Sequence, residues 1–442
     1  MKRKLRSWYV WILLSPAYLS CSRLLAEMRR AITFRPHVVQ AFLQLDDPYS
    51  YLLSHYLQDL AAAYRIELRV YLSRALSGEF TPQPAMLDDY AVRDCRLLAG
   101  ELDISFLDKG DAPVVEHREA LLDFLAKRQG QDDFAATFHQ ALDGYWRGDR
   151  EQSAGLIGDS QPDQSFTDAS IETSQSLLRK LGHYGSATLY YGGEWYWGID
   201  RLAHLCDRLD SLGARRGASD DARTAAPPAQ VTEMRLPAVA PPGAKHLPPL
   251  ELYYSFRSPY SYLALRRVFA VADAFCLDLV IRPVLPMVMR GLPVPRTKLL
   301  YIVRDAGREA RRLGIPFGNI CDPLGAGAER CIAVFFHAQR LGREREFMLA
   351  AGHAIWAEAV DLATDGGLRT VAERAGLQWP DVRDALNDES WRGAVQDNRD
   401  ALTRAGLWGV PSYVIGGTAL WGQDRVWVLA RQIERLCRIP AA

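Results

Sequence analysis

The sequence predicts an α/β fold built twice in tandem, each copy a small sheet interrupted by a long helical insertion. Three observations predict it. The first is a repeat: Asp47-Pro48-Tyr49-Ser50-Tyr51-Leu52 reads like Ser258-Pro259-Tyr260-Ser261-Tyr262-Leu263. At the same offset, Tyr90-Ala91-Val92-Arg93-Asp94 matches Tyr301-Ile302-Val303-Arg304-Asp305 and Ile104-Ser105-Phe106 matches Ile315-Pro316-Phe317. Gly192-Gly193, Trp197-Gly198 and Asp200-Arg201 then match Gly416-Gly417, Trp421-Gly422 and Asp424-Arg425, after a small net insertion in the second copy. Blocks in one order point to tandem duplication, the first thing to seek in a long chain. The second observation is the Ala- and Pro-rich stretch between the copies, which includes Ala225-Ala226-Pro227-Pro228 and Ala240-Pro241-Pro242-Gly243 and reads as an extended linker. The third is that alternating aromatic runs stand beside amphipathic stretches in both copies.

Taken in order, residues 1–35 come first. Lys2, Arg3, Lys4 and Arg6 precede an apolar run from Trp8 to Leu14, and Arg23, Arg29, Arg30 and Arg35 follow. The run is too short to span a bilayer and no small-x-small cleavage site follows it, which disfavours a secretory signal. A basic amphipathic helix that packs on the protein, or rests on an anionic membrane face, is the expectation. Domains are expected at 36–211 and 249–442, with the linker over 212–248.

Within the second copy, Leu250 to Ser255 alternates and reads as a strand. Ser258-Pro259 opens a helix to about Ala272, since serine is a favoured N-cap and proline is tolerated at the first helical position. Leu277 to Arg282 is a second strand. Helices are expected around 296–313, 327–341, 344–363 and 380–405. Ser412 to Ile415, a Gly416-Gly417 turn, a short strand to Trp421 and a helix from Asp424 to Arg438 close the domain. A parallel crossover needs its helix. This order is that of a thioredoxin-like fold with an inserted helical subdomain.

Composition excludes some functions. The 442 residues carry 53 Lys+Arg against 53 Asp+Glu, a formal net charge of zero, and 48% are hydrophobic. That is a globular profile with room for two or three cores. Neutrality removes the term that dominates nucleic-acid binding, so no nucleic-acid partner is expected. The seven cysteines are widely spaced with no CxxC, which argues against a disulfide scaffold or a zinc site and for a cytoplasmic, reduced protein. The nine histidines show no metal or triad pattern.

In a thioredoxin-like domain the reactive centre is a Cys-x-x-Cys at the N-terminus of the first helix, where the dipole and free N–H groups stabilise a thiolate. Here the tetrad is Ser258-Pro259-Tyr260-Ser261, which removes dithiol exchange and keeps the anion-stabilising geometry. Its complement is Gly409-Val410-Pro411-Ser412, whose proline precedes the third strand and is expected to be cis.

These residues resemble a known family. Tyr254 through Ala264, Arg282-Pro283-Val284, Lys298 with Tyr301 and Asp305, and Gly409 through Arg425 are similar to the DsbA-like thioredoxin superfamily. Within it they resemble the 2-hydroxychromene-2-carboxylate isomerase and kappa-class glutathione transferase branch. The resemblance implies glutathione as cofactor and a small aromatic electrophile as substrate. It implies that Ser258 favours the glutathione thiolate and that Lys298 pairs with a glutathione carboxylate. Val410 and Pro411 would hold the cysteinyl segment, and Gln423 and Asp424 the γ-glutamyl end, at a helix N-terminus that suits a carboxylate. Members commonly carry an asparagine in the loop after the second strand, and Met287 to Arg296 contains none.

The first copy departs further. Asp47 stands for the serine, Ala187 for Pro411 and Leu87 for Lys298, so it is read as thioredoxin-like without glutathione chemistry. Plain structural roles compete at each position: Ser258-Pro259 as a simple cap, Asp424 as a cap because Asp200 is its counterpart, and Lys298 as a solvated charge. Two functions follow: a glutathione-dependent isomerase or transferase, or a non-catalytic module that binds a peptide or partner.

Overall fold

The computed structural model describes residues 10–74, 78–158, 161–217, 225–227 and 229–438. The basic residues at 2–6 and the run's first residue, Trp8, lie outside these, as do linker residues 218–224. The chain divides into two compact units: Ser20–Thr232, and Met1–Leu19 with Glu233–Ala442.

In the first unit, strands β1 (His37–Leu43), β2 (Ile66–Leu72), β3 (Thr188–Tyr191) and β4 (Glu194–Trp197) form one sheet in the order β2-β1-β3-β4. In the second, β5 (Leu250–Tyr254), β6 (Leu279–Pro283), β7 (Ser412–Ile415) and β8 (Thr418–Trp421) form another in the order β6-β5-β7-β8. The first pair of each sheet is parallel and the others antiparallel. The parallel pair is joined by a crossover helix, Pro48–Ala63 or Pro259–Ala274, as parallel strands require. The closing pair turns on Gly192-Gly193 or Gly416-Gly417, all with positive φ, which a two-residue hairpin favours and glycine adopts without steric cost. Central strand β5 is buried along nearly its whole length by Leu250, Leu252, Tyr253 and Tyr254, so it reads as an apolar run.

Corresponding positions repeat their hydrogen bonds. Tyr49 Oη donates to Asp94 at 2.8 Å, and Tyr260 Oη to Asp305 at 2.8 Å. Tyr51 Oη donates to the Ser105 carbonyl at 2.7 Å, and Tyr262 Oη to that of Pro316 at 3.0 Å. Thr188 Oγ1 reaches the Gly185 carbonyl at 3.0 Å, and Ser412 Oγ that of Gly409 at 2.9 Å. Bonds made in both units belong to the scaffold.

The helical insertion differs in detail from expectation. The helix expected over 344–363 ends at Ala357, and a further helix, Asp365–Arg374, follows. Its Gly366-Gly367 start has poor propensity, and the Thr364 hydroxyl caps it by accepting from the Gly367 N–H at 3.2 Å. The helix expected over 380–405 is two, Trp379–Ala385 and Trp391–Arg404. Asp388 ends the gap between them by accepting from the Ser390 N–H at 2.9 Å, a turn that competes with helix.

The described ends of the stretch over 212–248 make defined contacts. Arg65 donates its N–H to the Ala214 carbonyl and Arg216 to that of Ala63, both at 2.8 Å, so the chain returns to the end of the first crossover helix. Pro242–His246 forms a short 3-10 turn, and a Cβ on Gly243 would collide with the Cys437 backbone. Both ends pack because their backbone groups find partners.

Near the N-terminus, Leu13 and Leu14 are buried, and Leu14 sits over Gly307 with Arg311 donating to its carbonyl at 3.4 Å. The following helix, Pro16–Ile32, has no buried residue and exposes Tyr18, Leu24, Leu25, Met28 and Ile32. Among the described residues no helix is long and apolar enough to cross a membrane.

Candidate active site

Strand β5 delivers the chain to Ser258, which sits in an extended conformation as the N-cap of Pro259–Ala274. Its Oγ accepts from the Ser261 N–H at 3.1 Å, and Pro259 occupies the first turn where its missing N–H costs nothing. The same hydroxyl donates to the Val410 carbonyl at 3.3 Å, and the Val410–Pro411 peptide is cis. Ser258 and Val410, 152 positions apart, are therefore brought together, and both are half-buried. Gly422 donates its N–H to the Pro411 carbonyl at 2.9 Å. Gly409 lies against the Trp421 indole so closely that a Cβ would overlap it. Arg257, just before the serine, is held by Asp322 through two bonds of 2.8 and 2.9 Å. Ser261 is buried, and its hydroxyl has no partner among the described residues.

Lys298 lies in the helix Arg296–Arg312, on the face shared with buried Tyr301 and Asp305. Asp305 ties that face to the Ser258 helix through Tyr260. Lys298 is half-buried, and burial pulls its ammonium below the ordinary lysine range.

Gln423 is turned inward. Its side chain is buried: Oε1 accepts from Arg267 at 3.0 Å, and Nε2 donates to Glu309 at 2.8 Å and to Asp424. Arg267 also donates to the Gln423 carbonyl at 2.9 Å. Burial pulls the Arg267 guanidinium below its ordinary value. An amide between an arginine and a carboxylate satisfies both groups at once, beside the Arg312 guanidinium that also donates to Glu309 at 2.8 Å. Both amide hydrogens of Gln423 are thus engaged within the protein, and Asp424, which accepts one of them, is half-buried. Arg267 and Glu309 were not legible as site-supporting residues. Each is an ordinary charged residue of its helix, and only the bonds that Gln423 makes with both mark them.

The first unit supplies an internal control. Asp47 accepts from the Tyr49 N–H at 3.1 Å, from Ser50 Oγ at 2.7 Å and from Ser186 Oγ at 2.9 Å. Desolvation pushes its carboxyl up despite these donors. Ser186 corresponds to Val410, so the hydroxyl of one loop and the carboxylate of the other close on each other. Ala187 takes the place of Pro411 with φ +52 and still accepts from the Gly198 N–H at 2.7 Å. The scaffold bond persists while the site is filled from within.

In the second unit a hydroxyl at a helix N-terminus thus faces a cis X–Pro loop. Residues 249–434 match the family model of the DSBA-like thioredoxin domain. This stretch is a DSBA-like thioredoxin domain. A curated relative, 2-hydroxychromene-2-carboxylate isomerase of Pseudomonas putida, is 24% identical over 197 residues, covering 43% of this chain and 96% of the relative. The enzyme of the same name from Sphingobium xenophagum is 24% identical over 185 residues, covering 40% and 93%. Among solved structures, the cytosolic disulfide reductase DsbM from Pseudomonas aeruginosa with GSH aligns at TM-score 0.35 and 19% identity, covering 43% of this chain and all of that one. The DSBA-like domain thus accounts for fewer than half of the residues, and the first unit lies outside the match.

Proposed function

We propose that the DSBA-like domain is a glutathione-dependent isomerase or transferase acting on a small aromatic electrophile. The observation that carries it is Ser258: a hydroxyl at a helix N-terminus, within 3.3 Å of the Val410 carbonyl, with no thiol in its tetrad. The named isomerases that this domain resembles support the same reading. The residues fit glutathione at Ser258, Val410, Lys298 and Asp424, and not at the Gln423 side chain, which is committed internally. When bound, glutathione would supply a thiolate nucleophile that adds reversibly to the electrophile, turning a double bond into a rotatable single bond.

The chain's own part is electrostatic and positional. Ser258 Oγ can redirect its proton from Val410 to a thiolate, because a 3.3 Å bond to a carbonyl is the weaker partner for it. The helix N–H groups and dipole add to that stabilisation. Released from Ser258, the Val410 carbonyl can accept from a ligand amide. Lys298, poorly solvated, would present its ammonium to a glutathione carboxylate.

Isothermal titration with glutathione, repeated on Ser258→Ala, tests this. The wild type should bind near one site per chain, and the variant should lose about 100-fold in turnover of an electrophile, the usual loss for one such donor. Equal behaviour of the two contradicts the proposal. Gln423's inward turn favours a second reading, a module that holds a peptide beside Val410, and absence of any glutathione heat supports it. Insulin reduction by the protein would contradict both. The shared strand order and repeated hydrogen bonds support descent of both units from one duplicated unit. The scattered cysteines support a cytoplasmic setting.

A further inference from the structure

The helix Pro16–Ile32 turns its charged side to the protein and its apolar side to solvent. Arg23, Glu27 and Arg30 recur at helical spacing, and they bond to the β3–β4 hairpin or to one another. Arg23 donates to both carboxylate oxygens of Glu194, at 2.7 and 3.0 Å. Glu27 accepts from Tyr191 Oη at 2.9 Å and from Arg30 at 2.8 Å. The opposite face carries Cys21, Leu25, Met28 and Ile32, at i, i+4, i+7 and i+11, with Leu24 beside them. All five are exposed, Leu24 and Leu25 to 60% each and Ile32 to 72%. An ordinary surface helix does the reverse and lays its apolar stripe on the core.

The end of the helix extends this face. The Phe34 N–H bonds to the Ala31 carbonyl and the Arg35 N–H to that of Arg30, both at 3.1 Å. This pair of bonds makes a helix C-cap whose left-handed position glycine usually fills. Phe34 fills it here at φ +50 and is 95% exposed. A bulky residue in that region costs energy, and in water it has no packing to offset the cost. Charge points the same way. Eight of the first 35 residues are Lys or Arg and one is acidic, whereas the chain as a whole is neutral. Four of the eight, at 2–6, lie outside the described residues. Trp8, Tyr9 and Trp11 stand in the same stretch of sequence, and such residues gather at the headgroup level of a bilayer.

We propose that this helix is a membrane-surface anchor that lies on a bilayer containing anionic lipid. Leu24, Leu25, Met28, Ile32 and Phe34 enter the boundary between headgroups and acyl chains. Arg29 and Arg35, both exposed, stand among the headgroups. Buried apolar area and attraction to anionic lipid both add to the binding of such a helix. The protein takes the place that water usually has at the polar face. A second copy of the chain is the other occupant that an apolar stripe suits, but it would set the same excess of positive charge against itself. The helix lies on the bilayer, since among the described residues none is long and apolar enough to cross it. The anchor does not depend on the function proposed for Ser258.

Co-sedimentation of the full chain with vesicles is the test, using phosphatidylcholine alone and phosphatidylcholine mixed with phosphatidylserine. The wild type should bind the mixed vesicles about tenfold more tightly than the neutral ones, and high salt should remove the difference. Leu25→Ser combined with Ile32→Ser should weaken binding to mixed vesicles at least about tenfold. Arg29→Ser combined with Arg35→Ser should weaken it about fivefold and leave binding to neutral vesicles unchanged. All four side chains are exposed, so thermal melting in solution should stay as in the wild type. If one pair of changes disturbs folding, the other decides. No uptake by mixed vesicles, or uptake that neither pair weakens, overturns the proposal. A dimer in sedimentation equilibrium that Leu25→Ser with Ile32→Ser splits, with no uptake by vesicles, overturns it in favour of a second copy.

Discussion

At the residue scale, the two units separate scaffold from chemistry by comparison of single positions. Ser50 and Ser261 correspond, yet Ser50 Oγ serves the Asp47 carboxylate at 2.7 Å while Ser261 Oγ has no partner among the described residues. A site that has closed on itself should not be opened by one change. Asp47→Ser is therefore expected to produce no glutathione binding in the first unit, since Leu87 and Ala187 still stand where the second has Lys298 and Pro411. Calorimetric stoichiometry of Asp47→Ser beside the wild type measures this directly; a second glutathione site per chain would contradict the account. Gln423 offers a stability test. Replacing its amide by Gln423→Leu leaves Glu309 and Arg267 short of a bridging partner in the interior and should cost about 1–3 kcal/mol in urea unfolding. The meeting of Ser258 with the cis Val410–Pro411 loop could be expected from the sequence, because cap and proline residue types mark both places. The Arg267–Gln423–Glu309 network could not, because its members are ordinary residues far apart in sequence whose meaning comes only from burial.

At the element scale, paired helices carry the scaffold. Tyr260 on the Ser258 helix holds Asp305 on the Lys298 helix at 2.8 Å. Tyr260→Phe should destabilise the second unit by about 2 kcal/mol, the range for a hydrogen bond to a charged group, and should loosen Lys298 with it. Thermal melting together with glutathione affinity checks both parts. In the first unit, the helices Pro48–Ala63 and Phe134–Trp146 pack through His55 and His139, whose rings lie 4.6 Å apart. Desolvation, with His139 as the next contributor, pulls His55 down to about 4 from 6.5. The unfolded chain thus takes up this proton near pH 6.5 and the folded one only near pH 4. Stability from His55 is complete above about pH 6.5 and is lost as the pH falls toward 4, on the order of 3 kcal/mol in all. His55→Leu should flatten the acid limb of a melting-temperature profile, and an unchanged limb would contradict this assignment. Strands, crossover helices and hairpins could be read from alternation, caps and Gly-Gly turns. The helix at Asp365–Arg374 could not, because a Thr364 cap overrides two glycines in its first turn.

At the scale of the whole molecule, the internal repeat announced two sheets before any element was placed, and two sheets of one strand order are present. Only 249–434 match the DSBA-like domain model, which agrees with a first unit that keeps the Tyr–Asp and Tyr–carbonyl bonds and has replaced the residues of the site. The bonds shared by the two units hold corresponding parts of each sheet and its helices, and Asp47 stands in the first unit where the second has Ser258. The central claim is that Ser258 at its helix N-terminus stabilises a borrowed thiolate. The measurement that tests it most directly is the ultraviolet thiolate absorbance of bound glutathione against pH, in the wild type and in Ser258→Ala. The account predicts a bound thiol well below its free value in the wild type and a rise of about 1–2 pH units in the variant, the loss of one charge-assisted hydrogen bond. Superimposable titrations of the two proteins would contradict it.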